Sequence, residues 1–148
     1  MKRFLQRLFR RFGLEIYRRE GRARTHLGPD RDSLEGVLRQ IREAGFAPAT
    51  VIDVGAAMGM FSRACHAVFP QANYLLIEPL EEFLPSLTKV SRDIPGTRFE
   101  LAAATASGDS TTLNVHADLL GSSLYRETEE GSNVNGAPRQ VHTIMLDQ

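Results

Sequence analysis

The sequence predicts an α/β fold, a parallel sheet with helices packed against it, and three observations carry that prediction. Residues 50–62 read TVIDVGAAMGMFS: a β-branched run closed by Asp53, a turn holding Gly55 and Gly59, then an amphipathic stretch. That order is the pattern of a strand feeding a helix. It recurs at 73–77, a second apolar run that also ends on an acid, Glu78, and is followed by a helical stripe. Strand patterns at 97–103 and 111–115 then continue the series. With 148 residues, 42% apolar and 24% charged, the chain has room for one domain with a modest core.

Residues 2–12 suit a helix, with Phe4, Leu5, Leu8, Phe9 and Phe12 on one face and Arg3, Arg7, Arg10 and Arg11 opposite. Gly13 is a plausible stop, and 14–31 reads as a linker with Gly21, Gly28 and Pro29. The chain therefore divides into a basic amphipathic helix and linker over 1–31 and the α/β portion over 32–148. Asp32 followed by Glu35 fits a capping box, and Leu34, Val37, Leu38 and Ile41 form a helical stripe that ends at Gly45. A helix over 60–68 follows the glycine turn. Cys65 and His66 sit in it as a small buried thiol and a surface imidazole. The next helix falls within 80–90, and Pro85 is tolerable only in its first turn. A turn at Ser107-Gly108-Asp109 joins the third and fourth strands, and 121–124 is a loop of small hydroxyl residues. The polar stretch 127–138 reads as mobile, and 140–146 alternates enough to be a last strand.

The neutral net charge conceals an asymmetry. Nine of the 18 basic side chains lie in the first 24 residues beside only two acids, so the chain splits into about +7 and −7. Segregation of this kind indicates a partner for the basic end. Three partners fit a basic amphipathic helix: the domain itself or a neighbouring subunit, an anionic membrane surface, and nucleic acid. No RNA-module pattern follows downstream, so nucleic acid is not expected. The absence of a signal-peptide pattern or a long apolar run, with Cys65 alone, points to the cytoplasm, with 2–12 able to lie at the inner membrane surface.

The chemistry concentrates at the ends of the first two strands, where open parallel sheets bind ligands. Gly55 lets the backbone turn, Ala56 and Ala57 keep the loop thin, and Gly59 lets a helix pack closely. The N–H groups at the helix start favour an anionic group such as a carboxylate. Asp53 can receive an ammonium, and Glu78 can accept from the two vicinal hydroxyls of a ribose. Leu80 and the stretch around Ala103 fit an adenine slot. These features favour S-adenosylmethionine over a dinucleotide, because the turn G-A-A-M-G lacks the second glycine of G-x-G-x-x-G. No phosphate loop, nucleophile elbow or metal-ligand spacing of His26, His66, His116 and His142 occurs.

Leu38 through Ser62, with its Gly45-Phe46-x-Pro48 lead-in, resembles the FkbM-type methyltransferases. The resemblance continues through LIEPL at 76–80, the Ala-rich strand end with Gly108, GSSL at 121–124 and VHTIMLD at 141–147, so it covers about residues 34–147. It implies a class I methyltransferase (Rossmann-like) parallel sheet with flanking helices. It also implies methyl transfer from S-adenosylmethionine to a hydroxyl of a small molecule or glycan. Asp53, Gly55, Ala56, Ala57, Gly59, Glu78 and Ala103 are the cofactor-contact candidates, and no residue stands out as the base. Where members often carry asparagine, this chain has Ala57. The family continues past this point with an I-D-x-E-G strand that pairs beside the first strand. The resemblance therefore implies a sheet incomplete at its C-terminal end, an uncovered first strand and a reduced acceptor pocket. A non-catalytic remnant acting through residues 2–12 is the alternative expectation.

Overall fold

A computed structural model of the chain describes residues 33–126 and 135–147. The helix expected over 2–12, the linker 14–31, the Asp32 cap and most of the polar stretch 127–138 lie outside the described residues. The first helix, α1, spans Leu34–Glu43. Ser33 caps it, its hydroxyl accepting from Gly36 N at 3.1 Å. Glu35 is engaged elsewhere, pairing with Arg39 one turn on at 2.6 Å. The expected stop holds: Gly45 takes φ 93, its N–H reaches Arg42 O at 2.9 Å, and Phe46 N reaches Ile41 O at 3.2 Å. This paired closure satisfies carbonyls that the helix end would otherwise leave open.

Strands β1 (Thr50–Val54), β2 (Asn73–Ile77) and β3 (Thr97–Glu100) form a parallel sheet in the order β1-β2-β3. Helix α2 (Met60–Val68) connects the first pair. A 3-10 turn at Glu81–Phe83 and helix α3 (Leu84–Asp93) connect the second, with Pro85 in the first turn of α3. This mixed α/β architecture, a three-strand parallel sheet with flanking helices, is compatible with a Rossmann-like fold. Tyr74, Leu76, Leu87, Val90, Val68 and Cys65 are buried between sheet and helices.

Side chains alternate along a strand. Asp53 faces α2, where it bonds Ser62, so Ile52 and Val54 point to the other face. They are 46% and 55% exposed, and among the described residues no strand pairs with the outer edge of β1. Parallel strands are ordinarily covered on both faces, which makes β1 the least protected part of the sheet.

The strand expected over 97–103 is divided. Its pairing stops at Glu100, opposite Ile77, because β2 ends there and turns at Pro79. After a bend at 101–102, β4 (Ala103–Ala104) pairs in parallel with β6 (Ala137–Ile144), which runs antiparallel to β5 (Ser110–Val115). The last strand thus starts three residues earlier than its alternation indicates, and it contains Pro138. Pro138 lies opposite Asn114, whose backbone exchanges its bonds with Ser123 on the other side, at 2.8 and 3.1 Å. At a non-hydrogen-bonded pair, proline removes no ladder bond. No described helix is long and apolar enough to cross a membrane.

Candidate functional site

The turn after β1 is strapped to the end of β2. Gly55 N and Ala56 N both donate to Ile77 O, at 2.8 and 3.2 Å. Ala57 N donates to Glu78 Oε2 at 2.9 Å, and Leu80 N to Glu78 Oε1 at 3.0 Å. The Glu78 carboxylate, 5% exposed, is thereby fixed between two turns. Each oxygen carries one such bond and keeps capacity for another.

Three residues of this turn lie in the left-handed region: Gly55 at φ 76, Ala57 at φ 45 and Gly59 at φ 72. The two glycines serve different ends. A Cβ on Gly55 would meet nothing within 4 Å, so the space before it is open. A Cβ on Gly59 would lie 2.6 Å from Val90 Cγ2, so that glycine admits α3, rather than only the helix it begins. Ala57 carries a side chain in a conformation that asparagine and glycine tolerate better.

A cavity of about 180 Å³ opens beside this turn. Gly55, Ala57 and Glu78 contribute to its lining, and Pro79, Leu80, Phe83, Leu113, Leu119, Leu120 and Ser122 supply the rest. The loop 116–122 closes on itself: Leu119 N bonds His116 O at 3.0 Å, Ser122 N bonds Leu119 O at 3.1 Å, and Gly121 N bonds Asp118 Oδ1 at 3.0 Å. Ser122 Oγ accepts from His116 N at 3.1 Å. Leu119 adopts φ 63, an unfavourable conformation for a branched side chain, at the wall of the cavity. Beside it, Glu82 and Arg139 join the 3-10 turn to β6 at 2.8 Å, and the bond to Arg139 holds the Glu82 carboxyl below its ordinary range.

Of the sequence-predicted site residues, the structure brings Gly55, Ala57 and Glu78 to one cavity, with Leu80 from the expected slot. Asp53 faces away from it: its Oδ2 accepts from Ser62 Oγ at 2.6 Å and Ser62 N at 3.2 Å. That places a carboxylate at the N-terminus of α2, where it takes the role of a cap. Ala56 and Ala103 are buried, Gly59 packs under Val90, and none of the three lines the cavity. The apolar wall from β5 and the 116–122 loop is what local patterns missed. Only the run of small hydroxyl residues at 121–124 signalled it.

Cys65 is buried, and burial followed by the nearby Asp53 charge pushes its thiol above the ordinary range, which keeps it protonated and unreactive. Among the described residues, no three His, Cys, Asp or Glu side chains gather as a metal site. Compared with known proteins, the chain matches no family model and no curated protein.

Proposed function

We propose that the chain binds S-adenosylmethionine at the ends of β1 and β2 and serves methyl transfer to a hydroxyl acceptor, as its resemblance to FkbM-type methyltransferases implies. The observation that carries this reading is the convergence of Gly55, Ala57 and Glu78 on one cavity with an apolar wall. Glu78, anchored by two N–H groups, retains acceptor capacity for the paired hydroxyls of a ribose. Leu80, Phe83, Leu113 and Leu119 provide apolar surface for a purine.

Whole-ligand pockets usually reach about 300 Å³ or more. At 180 Å³ the cavity suits a nucleoside, leaving the amino-acid tail to run over the open space before Gly55. When bound, the sulfonium would supply an electrophilic methyl group. The chain's part in the reaction is to hold the nucleoside and exclude water from its apolar side; orienting two reactants is itself a large part of such rate enhancements.

The test uses the ligand and the protein separately. Titration calorimetry with 5′-methylthioadenosine should give binding that falls about tenfold or more when the 2′-hydroxyl is removed, and likewise on Glu78→Gln. Equal affinity for the ribo and deoxy ligands would eliminate the ribose assignment without depending on how the variant folds.

A further inference from the structure

We propose that the outer apolar stripe of α1 is a docking surface for residues 2–12 of the same chain. Helix α1 packs through buried Gly36 and Leu38, while Leu34, Val37 and Ile41 are 46%, 44% and 38% exposed. Their spacing of three and four places them on one flank. The closure at Gly45 holds Phe46, 57% exposed, at the same end of the helix through its N–H bond to Ile41 O, with its ring edge-on to Phe69. Single exposed apolar residues are ordinary, whereas a line of three large ones along one helix flank signals a partner.

The chain carries a segment of matching chemistry. Phe4, Leu5, Leu8, Phe9 and Phe12 form the apolar face expected of 2–12. As a helix, that segment is about 16 Å long, against about 10 Å from Leu34 to Ile41 and a further turn to Phe46. The tether enters at Ser33, one residue before the stripe begins. A flexible tether of twenty residues, the number between the segment and Ser33, would span roughly 25 Å on average and hold the segment near millimolar effective concentration. Net charge does not oppose the pairing: from residue 25 on the sequence holds nine basic and 16 acidic side chains, against nine basic and two acidic before it. Docked, its arginines stay in water. A second copy is the weaker occupant, because a stripe of a few hundred Å² falls short of the roughly 800 Å² per partner that stable interfaces bury. The docking stands independently of the ligand reading.

The test is a cysteine pair in the full chain. Oxidation of the Leu8→Cys, Val37→Cys variant should give an intrachain disulfide whose yield does not change with dilution. The Arg10→Cys, Val37→Cys pair, on the opposite face of the segment, should link at least about fivefold less. Equal linking from both positions overturns the proposal. So do disulfide dimers that grow with concentration, which assign the stripe to a second copy, and loss of the intrachain link on phosphatidylserine vesicles with the chain floating, which assigns 2–12 to a membrane. Hydrogen exchange supplies a second reading without cysteines. Leu8→Glu should speed exchange of the α1 amides about threefold or more while β2 stays unchanged, and identical exchange in both chains sinks the docking.

Discussion

Ala57 and Gly59, two residues apart, both hold left-handed backbone, for different reasons and with opposite responses to substitution. Ala57 pays a conformational cost at φ 45 while its N–H anchors Glu78. Ala57→Asn should relieve that cost, raising stability by about 0.5–1 kcal/mol in urea unfolding, since asparagine accepts this region more readily. A lower midpoint would show that the methyl group is packed productively. At Gly59 an added methyl meets both an unfavourable φ of 72 and Val90 Cγ2 at 2.6 Å. Gly59→Ala should therefore cost about 2–4 kcal/mol. Adding Val90→Ala should recover the steric part but not the backbone part, so a double-mutant cycle with no coupling would refute the contact.

At the scale of elements, β1 is a described strand left uncovered at both an edge and a face. Its outer edge is open among the described residues, and Ile52 and Val54 leave one face apolar. Such an edge templates pairing with other chains. Ile52→Lys should reduce concentration-dependent association in sedimentation while shifting unfolding stability by no more than about 0.5 kcal/mol, as exposed substitutions do. Unchanged association would place the sticky surface elsewhere. What the sequence made legible divides along the same line. The bounds of α2 and β2 follow from local signals, a glycine turn on one side and a β-branched or apolar run on the other, and both match the expected residues. The split between β3 and β4 depends on where β2 happens to end, which no pattern within 97–103 records. Adjacent Asp32 and Ser33 are both good caps, so local chemistry does not choose between them; the structure does. The candidate site divides likewise. Gly55, Ala57 and Glu78 come from one strand-turn-helix and the next strand tip. Leu113 arrives through pairing of β5 with β6, a contact between distant segments, and Leu119 on the loop that closes back on the end of β5.

The whole molecule is joined through a core that both sheets share: Leu113, Val115 and Val141 belong to the same cluster as Tyr74, Leu76 and Leu87. Tyr74 is a buried member of it, 1% exposed, with its hydroxyl donating to Phe69 O at 2.9 Å and its ring edge-on to His66. Burial, and secondarily the negative charge of the Cys65 thiolate in alkali, pushes the Tyr74 pKa from 10.0 up to about 12. In the unfolded chain the phenol loses its proton near 10, whereas the folded chain keeps it, so folding binds the proton more tightly. The linked stability is complete below the unfolded value and declines as pH rises from 10 towards 12. Ionising this group requires opening the shared core, so tyrosinate absorbance from Tyr74 should appear together with the loss of helical circular dichroism. Tyr74→Phe removes the titrating group at the cost of one buried hydrogen bond, about 1 kcal/mol at neutral pH. The variant should begin less stable yet lose less stability between pH 10 and 12 than the parent. Parallel alkaline curves for the two chains would mean that groups other than Tyr74 govern unfolding there.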